Sequence, residues 1–252
     1  VADLQIAQKF YAEALGFQPT GPIGEDAALA EILGVERVRV LRMRLGAQEI
    51  ELSECFCSGL AYPENIGGNN VAFQHIAIVT TDIAVAYSQV MGQGAQAIST
   101  NGPQLLPQSS GGVKAFKFRD PDGHPLELLE FPVAAGKAAT GYDHSAISVS
   151  DVERSVAFYA GIGILRAAQQ VNRGVEQDAL DGLRDVVVDV VALRAQATPH
   201  VELLHYRRPE VVSNFLLMPN DIAADRLVFG SPESGLRLLK DPDGHLVLLD
   251  GR

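Results

Sequence analysis

Six histidines and two cysteines are the imidazole and thiol side chains of this 252-residue sequence that could ligate a metal. Cys55 and Cys57 form a CxC whose short loop suits neither a disulfide framework nor the CxxC spacing of redox and zinc sites, so they read as ordinary thiols. Two histidines open apolar runs, His75-Ile-Ala-Ile and His144-Ser-Ala-Ile, each seven residues before an aspartate, Asp82 and Asp151. An imidazole at such a place can line a pocket or bind a divalent ion. His124 and His245 end two copies of the pentapeptide DPDGH and read as turn residues. His200 lies two residues before Glu202, on its face of an alternating run, and is a weaker lining candidate, whereas His205, three after Glu202, faces the other way. The segment LPQSSGGV at 106–113 has the glycine and serine content of a mobile loop able to close over a ligand, but no phosphate-loop or dinucleotide fingerprint accompanies it.

The elements that must position these residues are repeated. Each DPDGH joins two apolar-rich segments: proline fixes φ, aspartate bonds its own backbone, and glycine accepts the positive φ of a tight strand connection. VADLQIAQKFYAEALGF at 1–17 matches VSDVERSVAFYAGIGIL at 149–165, with Asp3 and Asp151 at N-cap positions and Gly16 and Gly163 near the end of each helix. The histidine runs read as strands feeding helices. Following the chain from each start gives a βαβββ unit, with strands GAQAIST, VKAFKF and PLELLEF in the second copy and ILRAAQQV, VVVDVVAL and HVELLHY in the third. Phe116 and Phe118, alternating with Ala115 and Lys117, predict a half-buried strand. The first copy lacks a strand before Val1. The fourth runs only 15 residues from Arg226 to Asp241, against 45 from His75 to Asp120, so a helix and a strand after about Phe229 are expected to be missing from it.

Paired βαβββ modules, the D-x-x-x-A-x-x-F-Y helix, a strand opening with histidine, and DPDGH followed by LEL together resemble the vicinal oxygen chelate superfamily, the glyoxalases, extradiol dioxygenases, methylmalonyl-CoA epimerases and bleomycin-resistance proteins. The resemblance spans nearly the whole chain and implies an α+β fold of four βαβββ modules paired into two cup-shaped, mainly antiparallel sheets with outer helices. The expected halves are 1–132 and 142–252 with a linker at 133–141. It also implies ligands on the first and last strands: Glu51 in module one, His75 and Glu127 in module two, His144 and Glu202 in module three. Arg226 and Val247 stand at these positions in module four, which therefore binds no metal. If module two pairs with three and one with four, His75, Glu127, His144 and Glu202 share one cup, and Glu51 faces Arg226 in a salt bridge. If neighbours pair, only His75, Glu127 and Glu51 are grouped. The first pairing is favoured because it collects the intact positions.

Two imidazoles and two carboxylates suit Zn, Ni, Mn, Co or Fe. The resemblance implies a small oxygenated substrate and lyase or isomerase chemistry through a metal-stabilised enediolate, with Glu127 or Glu202 as the base. Extradiol dioxygenation and metal-free ligand binding, as in a resistance protein, are the alternatives. With 31 acidic against 20 basic residues the chain carries a formal charge of −11, which disfavours nucleic acid and anionic lipid, and no apolar run reaches the roughly 20 residues that span a bilayer. A cytoplasmic monomer or homodimer acting on a small molecule is expected.

Overall fold

In the computed structural model, residues 1–64, 66–132, 141–194, 199–213 and 217–252 are described. In chain order the elements are α1 (Leu4–Leu15), β1 (Gln18–Pro19), β2 (Gly24–Glu25), α2 (Ala27–Leu33), β3 (Val38–Leu45), β4 (Gln48–Cys55), β5 (Gln74–Val79), α3 (Ile83–Gly92), β6 (Gln96–Ala97), β7 (Gln104–Leu105), β8 (Lys114–Arg119) and β9 (Pro125–Glu130). They continue with β10 (Gly141–Ser148), α4 (Val152–Gly161), β11 (Leu165–Arg173), α5 (Val175–Asp181), β12 (Val187–Arg194), β13 (His200–Arg208), β14 (Arg226–Gly230), β15 (Leu236–Lys240) and β16 (Leu246–Asp250). This is an α+β fold built from repeated modules. Helices α1, α3 and α4 start where an aspartate side chain, Asp3, Asp82 or Asp151, accepts first-turn amide hydrogens that no helical carbonyl can reach.

Modules two and three share one sheet of nine strands, ordered β11-β12-β13-β10-β5-β9-β8-β6, with β7 also on β8. The join is the antiparallel ladder of β5 on β10, in which Ala146 stands opposite His75 and His144 opposite Ala77. Strands from both halves of the chain thus contribute to one sheet, and residues 133–140 of the expected linker lie outside the described residues. Modules one and four form two smaller sheets, β1 to β4 and β14-β16-β15. Between them lies a cavity of about 590 Å³. Module four has no helix between β14 and β15.

The repeated motifs bond one another. Tyr11 of α1 donates its hydroxyl to Asp120 of the first DPDGH turn at 3.3 Å, and Tyr159 of α4 donates to Asp241 of the second at 3.4 Å. The second aspartate of each turn accepts the amide just ahead of the helix, Ala2 onto Asp122 and Ser150 onto Asp243, both at 2.8 Å. Gly123 and Gly244 adopt φ of 99° and 94°, which explains glycine at the fourth place of the turn. Each helix therefore fastens the hairpin of the following module, one onto two and three onto four. The sheet, in contrast, joins two to three.

Some expectations need correction. The last strand of module four presents Leu248, not Val247, at the glutamate position. Leu248 stands opposite Val228, two residues after Arg226, as Glu127 stands opposite Ala77, two after His75; Val247 packs in the core on the other face. The β8 strand is not half-buried, because Ala115, Phe116, Lys117 and Phe118 are all inaccessible. Its phenylalanines pack under the helices while Ala115 and Lys117 face the cup. GAQAIST forms only the two-residue β6, and helices α2 and α5 had no sequence signal assigned to them.

His124 supplies a pH test of the turn. Burial opposes its protonation, but Asp225, with Nδ1 to oxygen at 3.0 Å, and Asp120 override that and raise its pKa to about 8. A raised histidine pKa stabilises the fold fully below the ordinary value near 6.5 and loses that contribution as pH rises through about 8. Wild type should therefore exceed Asp225→Asn in unfolding free energy by up to about 2 kcal/mol at pH 6, with the gap shrinking by pH 9, as read by urea denaturation. A gap independent of pH would show that the pair does not carry the stabilisation.

Candidate functional site

The β5–β10 ladder sets the site. In module two, Glu127 on β9 stands opposite Ala77; in module three, Glu202 on β13 stands opposite Ala146. Because β5 and β10 run antiparallel with His75 opposite Ala146, the two His–Glu pairs are related by a local twofold and project into one cup. The fully buried Ala77 and Ala146 between them leave the floor open for the longer side chains. The cup holds about 330 Å³.

His75 Nε2 donates to Glu127 Oε2 at 3.2 Å. His144 Nε2 lies 3.7 Å from the same carboxylate and 3.6 Å from Glu202 Oε2. Donor atoms of His75, Glu127 and His144 all fall within 4.8 Å of one another, and all three residues are buried. Glu202 stands at the side of this triple, sharing its other oxygen with His200 Nε2 at 3.2 Å. All four sequence-derived residues are therefore in one cup, with three of them in a tight cluster. His205 bonds the Val149 carbonyl instead.

Glu51 is elsewhere. It pairs with Arg42, its register partner on β3, at 3.2 Å, while Arg226 donates to Ser53 Oγ at 2.6 Å. The expected Glu51–Arg226 salt bridge is thus replaced by two separate contacts, because the cross-strand arginine of the same sheet reaches Glu51 directly. Leu248, Arg226 and Glu51 all line the outer cavity, and that set offers a metal one carboxylate.

Charge in the inner cup follows from burial and pairing. Burial alone would push Glu127 up, but the Lys117 ammonium, the His75 bond and His144 hold its carboxyl at about 2. Burial likewise opposes ionisation of Glu202, yet His144 and His200 lower its pKa. Desolvation lowers His75, outweighing its bond to Glu127, so this imidazole is neutral near pH 7. His144 moves the other way, to about 9, because Glu202, Asp143 and Glu127 together overcome its burial.

The donor set fits a divalent ion. Asp143 Oδ2 lies 3.1 Å from His144 Nδ1, so a proton on Nδ1 is held there, and Nε2, directed at the carboxylates, is the nitrogen that would give up its proton to a metal. Two nitrogens and a carboxylate converge from a rigid sheet, with Glu202 in reach as a fourth ligand. Asp143, Lys117, Gln177, Asp181 and Tyr206 escaped sequence reading. Asp143 is a strand neighbour of His144 and should face away, but a register shift between Tyr142 and His144 turns it into the site. Lys117 is the cross-strand partner of Glu127, which alternation on β8 could have revealed.

Comparison with known proteins agrees with this architecture. The Glyoxalase/Bleomycin resistance protein/Dioxygenase superfamily model matches residues 1–128. Glyoxalase I from Zea mays superposes with a TM-score of 0.60 at 16% identity, covering 99% of this chain and 88% of that one. Its V278E mutant gives 0.63 at 18% identity with the same coverage. A putative dioxygenase from Bacillus subtilis gives 0.57 at 12% identity, covering 100% of this chain and 83% of that one. No curated protein matches.

Glu127→Gln is expected to weaken Zn(II) binding at least about tenfold by titration calorimetry, whereas Glu51→Gln should change it less than about twofold. The reverse order would move the metal to the outer cavity. On its sequence and its fold, the chain belongs to the Glyoxalase/Bleomycin resistance protein/Dioxygenase superfamily.

Proposed function

We propose that the protein is a glyoxalase-like, metal-dependent lyase or isomerase acting on a small oxygenated molecule. The observation that carries this reading is the convergence of His75, Glu127, His144 and Glu202 on one buried cup between two modules. His75, Glu127 and His144 would hold the ion, with Glu202 as fourth ligand or neighbouring base. A bound divalent ion would supply Lewis acidity to a substrate presenting two vicinal oxygens.

The chain's own groups do the rest. Leu106, Val113 and Leu129 give the cup apolar walls that exclude water and leave its few polar groups to fix the substrate's orientation. Asp143 fixes the His144 ring, and Lys117 keeps Glu127 ionised. Glu202 is more exposed than Glu127 and stands outside the tight cluster, so it is the carboxylate placed to take a proton from a carbon beside a carbonyl and return it to the adjacent carbon. The loop at 106–113 is drawn over the mouth of the cup by Ser110 Oγ, which donates to Asn172 Oδ1 on β11 at 2.8 Å. A small-molecule substrate fits the cup's volume. No helix among the described residues is long and apolar enough to cross a membrane. A cytoplasmic monomer or homodimer completes the reading.

A second reading has its own support. The tight cluster contains two histidines and one carboxylate, the composition of the facial triad of non-haem Fe(II) oxygenases, with Glu202 outside it. Extradiol cleavage therefore stands as the alternative.

Reconstitution separates the two. Protein loaded with Ni(II), Zn(II), Co(II) or Mn(II) should isomerise hemithioacetals of methylglyoxal with small thiols, and Glu202→Gln should lower kcat by about 10²-fold or more with a smaller effect on KM. Activity confined to the Fe(II) form, with oxygen consumption on catechols, would replace this reading by the dioxygenase. No metal uptake with retained ligand binding would leave a sequestering protein.

A further inference from the structure

The cup contains a second polar cluster, none of whose members is among the candidate metal ligands. It is built where α5, an element of module three, crosses to module two: Ser99 Oγ donates to the Leu180 carbonyl at 2.7 Å, and the Thr100 amide to the Ala179 carbonyl at 2.8 Å. This crossing carries Gln177 into the lining of the cup and sets Asp181 against Lys117 of β8. Asp181 is the hub. One oxygen accepts from Lys117 Nζ at 2.7 Å; the other accepts from Gln177 Nε2 at 2.8 Å and from the Tyr206 hydroxyl at 3.0 Å.

The cluster is asymmetric in what it leaves over. Asp181 accepts three hydrogen bonds, and Tyr206 has spent its proton on it. Gln177, only 4% exposed, has its amide nitrogen fixed on Asp181, so its oxygen assignment is settled, yet Oε1 is buried with no hydrogen-bond partner among the described residues. Lys117, equally buried, gives one of its three N–H donors to Asp181 and keeps two. Both side chains line the same cup as His75 and Glu127. Being anchored on the two oxygens of one carboxylate, they are neighbours. An unpartnered acceptor and spare donors on two side chains held by one carboxylate match a group that both donates and accepts. An unmet buried acceptor costs about 1–3 kcal/mol, which a ligand supplying the proton would relieve.

We infer that Gln177 and Lys117 form a hydroxyl-recognising subsite, so that the preferred ligand carries an alcohol group in addition to the pair of oxygens presented to the metal. A hydroxyl would donate to Gln177 Oε1 and accept from Lys117 Nζ. Its replacement by hydrogen or methyl would leave both protein groups unpaired, the situation in which polar sites discriminate most strongly. The assignment rests on the metal-dependent reading for the substrate's other end, but the subsite itself is made of residues that ligate nothing.

The test uses matched probes on the full chain. Zn(II)-loaded protein is titrated with hydroxamates of two to four carbons and with their terminally hydroxylated counterparts. In parallel, metal-free protein is mixed with 1-propanol or with its O-methyl ether, which accepts but cannot donate, and followed by saturation-transfer NMR. At least one hydroxylated hydroxamate should bind about tenfold tighter than its alkyl partner, and propanol should show transfer where its methyl ether shows less. In Gln177→Met both preferences should vanish; each is a ratio within one protein, so a general loosening of the cup cancels. Equal or better binding of every alkyl probe in wild type, or a preference unchanged by Gln177→Met, overturns the subsite. Failure of zinc or of all hydroxamates to bind would instead count against the metal-dependent reading, and the alcohol–ether comparison would still decide the subsite.

Discussion

The antiparallel ladder between β5 and β10 is the contact on which the rest of the molecule depends. It is a join between repeats, and its register alone sets where the two His–Glu pairs meet: a slip of one residue would send His75 or His144 to the helix-covered face of the sheet. Two buried alanines then matter as much as the ligands. Ala77 and Ala146 sit at the centre of the pseudo-twofold, opposite the two glutamates, and any larger side chain there would fill the space that the imidazoles and carboxylates occupy. The sheet spreads nine strands behind this centre, so the geometry is held by backbone hydrogen bonds instead of by loops.

A second set of contacts ties the modules in a different order. The tyrosines of α1 and α4 reach the aspartates of the DPDGH turns, coupling one to two and three to four, while the ladder couples two to three. The alternation makes one continuous structure of four units that repeat each other in sequence. It also separates duties. Modules two and three keep both the histidine and the glutamate; module one keeps a glutamate neutralised by Arg42; module four has Arg226 and Leu248, which give the outer cavity a donor to Ser53 and an apolar wall.

Much of this was legible in the sequence because repeats print the same physical demand more than once. DPDGH and the F-Y helix appear twice since each is half of a bond made by the other, and the Asp caps, Gly φ values and strand-opening histidines follow local rules. What was hidden depended on tertiary context. Asp143 enters the site only through a local shift in ladder register. Lys117 looked like the polar half of an amphipathic strand, but it is buried because α5 brings Asp181 to it from about 60 residues away in sequence. The position of Leu248 follows from strand pairing, and the fate of Glu51 from a cross-strand arginine nearer than the one expected.

The most direct measurement is anomalous diffraction at the zinc edge from crystals of metal-loaded protein. The account predicts a single strong peak inside the nine-stranded sheet, about 2.0–2.3 Å from an imidazole nitrogen of both His75 and His144 and from a Glu127 oxygen. A peak in the outer cavity beside Glu51, or one bound by only one of the two histidines, would contradict the claim that the β5–β10 ladder assembles the site.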